Sequence, residues 1–237
     1  MGRATRAVFF DVDFTLIYPG PMFQADGYRD FCARHGIPDL DPAAYEEAVV
    51  SASAFLDDGD DLAYDPAFFL RYIRHVIERM GGLGPNLDAC AAAIYREWAA
   101  CHHFQLYDDV LPTLRGLHAR GLRIGLISNT HRSLVDFANH FELDQLVSAS
   151  VSSSEHGYNK PHPSIFHTAL KLLGVEPDAA VMVGDSYRHD IEGARAVGME
   201  AILLRRSAPP AGPGVAVLPA YTATRVIRTL PEVLALV

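Results

Sequence analysis

The chain is predicted to fold as an α/β protein, a Rossmann-like parallel sheet in a three-layer α/β/α core with an all-helical subdomain inserted. Three observations carry this. An apolar, strand-like run, Val8-Phe9-Phe10, lies near the N-terminus. From residue 106 onward, short apolar runs alternate with helical segments, the pattern of parallel strands joined by right-handed crossovers. Between the two, residues 22–104 show helical spacing and no convincing strand. A lone strand cannot bury itself, so the first run must join the later ones. The core is therefore expected to be discontinuous, 1–20 with 105–237, and residues 21–104 form a helical cap above the strand ends.

Each element has its own signal. Residues 7–11 read as the first strand, and Tyr18-Pro19-Gly20-Pro21 is turn-rich and should stop regular structure. Helical spacing recurs near 23–35, 42–56, 66–80 and 87–101, between Gly, Pro and Asp clusters. A helix over 109–119 ends at Gly121, and strand 122–127 (LRIGLI) runs into Ser128-Asn129-Thr130. A helix near 131–140 and a weaker strand near 146–151 follow. Pro163 opens a helix that Gly174 stops. Strand 180–183 (AVMV) leads into Gly184-Asp185-Ser186, helix 190–197 stops at Gly198, and 201–204 (AILL) is a further strand. The Pro-, Gly- and Ala-rich stretch 207–219 reads as a loop, and a helix over 222–236 closes the chain.

Composition narrows the function classes. The 237 residues are 49% apolar, enough for a sizeable core. A net charge of −9 speaks against a nucleic-acid surface, which needs a basic stripe. Cys32, Cys90 and Cys101 are too few and scattered for a disulfide framework and read as buried thiols in a reducing compartment. Asp11 cuts the first apolar run short of a signal peptide, and no run reaches membrane-span length. The expectation is a soluble cytoplasmic protein with no membrane partner. No pattern in the sequence encodes an oligomeric state.

The chemistry gathers at four strand ends. Asp11 and Asp13, two apart at the exit of the first strand, lie where open α/β folds bind ligands. Their mutual repulsion points to a metal, an acid–base couple, or both. The second strand contributes Ser128 and Asn129, the loop after the third Lys160, and the fourth Asp185, with Asp190 five residues on. Carboxylates, a cation, a hydroxyl and a helix N-terminus together suit phosphoryl transfer through an aspartyl-phosphate, with Mg²⁺ held by few carboxylates.

DVDFTL, LISNT, NKPHPSIF and VGDSYRHDIEGARAVGM, in that order, resemble the four motifs of the haloacid dehalogenase-like (HAD) hydrolases, in the phosphatase branch with a helical cap between motifs one and two. The resemblance implies a Mg²⁺-dependent phosphatase of a small phosphorylated metabolite. Asp11 would attack phosphorus. Asp13 would protonate the leaving oxygen, then take a proton from water, and lend its carbonyl to Mg²⁺. Thr15 would orient the motif or make only a local turn. Ser128 and the Asn129 amide would bind phosphoryl oxygens, or Ser128 would merely cap a helix. Lys160 would pair with the phosphoryl group and with Asp11, and Asp185 would be the second metal carboxylate. Asp190 would orient a water or Lys160, or cap a helix at Ile191. Phe14 departs from the family, which usually has Gly there.

Other readings are weaker. Dehalogenases of the family lack the second aspartate, and a phosphonatase needs a cap lysine that residues 22–104 lack. A phosphomutase, or a non-catalytic binding module, would use the same scaffold. His102-His103 and His162/His167 read as polar or helix-end histidines, since nothing nearby supplies further zinc ligands. Trp98 reads as cap core. Arg71, Tyr72, Arg74 and His75 are better read as a solvated helix face than as substrate contacts.

Overall fold

The computed structural model describes residues 4–57, 62–206 and 225–237. Strand β1 (Ala7–Phe10) is wholly buried, as a central strand covered on both faces must be. Ala7 and Phe9 point into one apolar layer, Val8 and Phe10 into the other. It pairs in parallel with β4 (Arg123–Ser128) and β6 (Ala180–Gly184). With β5 (Val147–Ser152), β7 (Glu200–Leu204) and β8 (Arg225–Ile227), the described strands make a parallel sheet of order β5-β4-β1-β6-β7-β8. Helices α5 (Val110–Ala119) and α6 (Leu134–His140) cover one face. Helix α8 (Pro163–Leu173) and the short α9 (Gly193–Ala196) cover the other, beyond the four-residue α7 (Ser153–His156). This is the expected α/β class.

Helices α1 (Ala25–Arg34), α2 (Tyr45–Asp57), α3 (Pro66–Arg79) and α4 (Leu87–Glu97) run between β2 (Ile17–Pro19) and β3 (Phe104–Leu106). Asp65 caps α3 by accepting from the Ala67 amide, with Pro66 at the first turn. Cys32 and Cys90 meet inside this helical insert, their sulfurs 3.5 Å apart, and Trp98 packs among Phe23, Phe69 and Tyr72.

The structure departs from the sequence reading in four places. β2 and β3 form an antiparallel pair where the turn residues predicted an end to regular structure, tied by Tyr18 Oη donating to Gln105 Oε1 at 2.6 Å. Three-residue strands, one ending in Pro19, are too short for periodicity to register. Near the C-terminus, β8 and a 3₁₀ turn (Leu230–Ala235) replace one helix over 222–236. Thr229 and Glu232 form the capping box that starts this turn late. Third, α6 begins at Leu134 with Ser133 as cap, rather than near 131. Fourth, the helix expected over 190–197 opens as a π-helical turn, Tyr187–Glu192. The loop expected over 207–219 lies outside the described residues. Among those described, no helix is long and apolar enough to cross a membrane.

Candidate active site

The carboxyl ends of β1, β4 and β6 converge on one buried ion cluster. Lys160 Nζ donates to Asp11 Oδ1 at 2.6 Å, to Asp190 Oδ1 at 2.7 Å and to the Ile127 carbonyl at 2.9 Å. Asp190 is fully buried, and its other oxygen accepts from the Ser186 amide at 3.0 Å. Gly184 makes room for it, since a Cβ there would lie 2.2 Å from Asp190 Oδ2. Lys160 is fixed from its backbone as well: Asn129 Oδ1 accepts from the Lys160 amide at 2.7 Å, and Asn129 Nδ2 donates to its carbonyl at 3.0 Å.

Carboxylate oxygens of Asp11, Asp185 and Asp190 all lie within 4.8 Å of one another. Three carboxylates face one buried lysine, with only the Arg205 guanidinium alongside Asp185 to help among the described residues, so the cluster is short of positive charge. The shortage shows in the proton affinities. Burial, reinforced by the Asp190 and Asp13 charges and opposed by Lys160, pushes Asp11 up to about 7. Burial, then Asp11 and Asp190, hold Asp185 well above the usual carboxylate range. Burial alone would lower the Lys160 ammonium, but Asp11 and Asp190 outweigh it and keep it above the ordinary lysine range. A cation would meet the shortage as protons do. Both Asp190 oxygens are committed, so Asp11 and Asp185 are the side chains best able to hold a metal, and an all-oxygen set suits a hard divalent ion.

Asp13 sits on the rim. The chain turns sharply after β1, with Leu16 N donating to the Val12 carbonyl at 2.8 Å and Phe14 N to the Ile17 carbonyl at 2.7 Å. Phe14 takes φ 61°, the left-handed conformation that glycine adopts without strain. The residue is 40% exposed. Asp13 is held by Arg132, whose Nη1 donates to its two oxygens at 3.2 and 3.3 Å, and more loosely by Ser128 Oγ at 3.5 Å. Ser128 is buried at the end of β4 and does not cap α6, which begins six residues later. A helix N-terminus therefore does not abut Ser128, contrary to the sequence expectation. The Thr15 hydroxyl is buried with no hydrogen-bond partner among the described residues, and the Thr15 carbonyl accepts from Arg206 Nη2 at 2.9 Å.

Arg132 is the residue that sequence reading missed. Its guanidinium is fully buried, stacked 4.2 Å from the Phe104 ring, and Nη2 donates to the Trp98 carbonyl at 2.9 Å. One side chain thus joins Asp13 to the exit of the helical insert. The only hint in the sequence was a charged residue amid a strand-end motif, and its partner lies 119 residues away. The side-chain clamp of Asn129 on Lys160 was also missed, since the expectation concerned its amide alone.

The insert touches the same site from the other side. Tyr64 N donates to the Gly157 carbonyl at 2.9 Å and Asn159 N to the Leu62 carbonyl at 2.7 Å, so the segment before α3 is stitched to the loop just ahead of Lys160. Tyr95 stacks on His131 at 3.9 Å and shares a short hydroxyl contact with Tyr64. By contrast, Arg71, Tyr72, Arg74 and His75 do not converge. Arg74 pairs with Glu78 and Asp88 on the surface, His75 bonds Ser51, and Tyr72 packs on Trp98.

The family model for haloacid dehalogenase-like hydrolases matches residues 5–198. Haloacid dehalogenase-like hydrolase domain-containing protein 3 of Bos taurus is 37% identical over 119 residues, 50% of this chain and 47% of the relative. The chain thus spans about half the length of this curated relative. Glyceraldehyde 3-phosphate phosphatase of Methanothermobacter thermautotrophicus is 36% identical over 219 residues, 84% of this chain and 85% of the relative. Among solved structures, a HAD phosphatase from Thermococcus onnurineus superposes with a TM-score of 0.65 at 25% identity, covering 98% of this chain and 97% of that one.

Proposed function

The chain belongs to the haloacid dehalogenase-like hydrolases, and on that premise we propose that it is a Mg²⁺-dependent phosphatase of a small phosphorylated metabolite. The observation that carries the reading is the pairing of a buried, lysine-bound carboxylate, Asp11, with a second, partly exposed one, Asp13, two residues on. The identity with a glyceraldehyde 3-phosphate phosphatase over most of both chains supports phosphate monoesters as the substrate class.

An Asp11 oxygen attacks phosphorus. The bond from phosphorus to the leaving oxygen breaks, its electron pair leaves with that oxygen, and Asp13 supplies the proton. Water then attacks the aspartyl-phosphate while Asp13 takes its proton. The phosphorus–Asp11 bond breaks, returning the Asp11 carboxylate and inorganic phosphate. General acid–base help of this kind contributes about 10²–10⁴-fold. Ser128 and the Asn129 amide line the phosphoryl site, and Lys160 keeps positive charge beside Asp11. Asp190 holds Lys160, and Thr15 shapes the turn that presents Asp13. Asp11, Asp185 and the Asp13 carbonyl would hold the metal. When bound, Mg²⁺ supplies positive charge against the phosphoryl oxygens. Residues 21–104 act as a cap that closes over the leaving-group side and excludes water. Phosphate release from an aryl phosphate with Mg²⁺ tests the reading. Equal rates for wild type and Asp11→Asn would sink it, and chloride release from a 2-haloacid would replace it.

A further inference from the structure

A second cluster of ligand-type side chains lies away from the aspartates, where α4 leaves the helical insert. Glu97 ends α4. Four residues on, a 3₁₀ turn, Cys101–His103, leads into β3. One ligand atom each from Glu97, His102 and His103 lies within 4.8 Å of the other two. His103 Nε2 is 2.9 Å from Glu97 Oε2, and the two imidazole centroids are 4.0 Å apart. His103 is fixed from two directions: Phe23 meets its ring edge-on at 5.5 Å, and its carbonyl accepts from the Gly20 amide at 2.8 Å. His102 is exposed, which leaves the cluster open to an arriving ion.

We propose that Glu97, His102 and His103 form a site for an imidazole-preferring divalent transition ion, Zn²⁺ above all. Two imidazoles and one carboxylate are a recognised zinc donor set that leaves one position for water. Zinc bonds of about 2.0–2.2 Å require the three donors to draw together from their present separations. The two clusters differ in kind: oxygen-only donors around Asp11 favour a hard ion, and nitrogen donors here favour zinc. The donors come from the last residue of α4 and from the turn that enters β3. A bound ion therefore clamps the end of the insert to its return strand.

The test is equilibrium dialysis of the full chain against Zn²⁺, in an Asp11→Asn background that weakens the aspartate cluster. The background protein should retain one zinc per chain through this site. Adding His102→Ala, or the milder Glu97→Gln, should weaken that binding by at least ~10-fold. In the parent, zinc should also slow amide exchange across residues 98–103, and the variants should lose this protection. Both changes are at surface positions outside the proposed catalytic set. Mg²⁺-dependent turnover of His102→Ala and Glu97→Gln in the otherwise native chain should match wild type and show that they fold. Failure of the parent to retain zinc would overturn the site, as would unchanged zinc affinity in both variants.

Discussion

Asp11 and Asp13 are two residues apart, yet their surroundings differ in nearly every respect. Asp11 is buried, bonded at 2.6 Å to a lysine that is itself anchored by Asp190 and a strand carbonyl. Asp13 is one-third exposed and held at 3.2–3.5 Å by an arginine and a serine. The first belongs wholly to the sheet; the second is tied through Arg132 to the insert. The contrast teaches a division of labour. On the proposed mechanism, the attacking group is built into the sheet end, and the group that gives and takes a proton is held by a side chain that also contacts the insert.

The sharpest way to break this comparison is Asp11→Asn. An amide cannot displace a phosphate, so kcat should fall by at least about 10⁴-fold in a phosphate-release assay, with the fold retained. Next in size is Lys160→Met. It leaves the buried Asp11 and Asp190 without their shared cation, which should cost about 3–5 kcal/mol by denaturant unfolding and abolish turnover. Asp13 should tolerate more. Arg132→Gln is expected to lower kcat by about 10–10²-fold, below the ceiling set by acid–base catalysis, while Mg²⁺ affinity stays near wild type. An equal loss in metal binding would show that the two halves are not separate.

The pH dependence sharpens the same contrast. Asp11 binds protons more tightly folded, at about 7, than unfolded, near 3.8. Between those values the native state holds the extra proton, so this group's contribution to stability falls as pH rises from about 4 to about 7. In metal-free protein, Asp11→Asn should therefore gain Tm over wild type across that window, and added Mg²⁺ should narrow the gap. A constant Tm difference would contradict the assignment. The smallest effect is expected at Phe14→Gly. Relief of the left-handed backbone is worth about 1–2 kcal/mol and is partly offset by glycine's greater freedom when unfolded, so Tm should shift little and activity persist.

Much of the core was legible because its signals are local. Apolar runs ending in Asp, Ser or Gly marked β1, β4 and β6, and strand ends are where this architecture gathers its site. Lys160, Asp185 and Asp190 came with their motifs, and the structure brings them within reach of Asp11. What stayed hidden depends on distance in sequence or on shortness. Arg132 has no local signature for a carboxylate 119 positions away. β2, β3 and β8 are three residues each and owe their existence to neighbouring strands rather than to their own pattern. Glu97 ended a helix whose periodicity said nothing of the histidines it would meet.

The bonds of Lys160 have a consequence in valence. An ammonium carries three hydrogens, and here all three are spent, on Asp11, Asp190 and the Ile127 carbonyl. No donor is left over for an arriving phosphoryl oxygen. That oxygen can bond the lysine only by taking a place now filled by a protein acceptor, and in the proposed mechanism the acceptor that becomes phosphorylated is Asp11. The lysine would then pass from carboxylate to phosphoryl oxygen as the new bond forms, an exchange of partners at constant count.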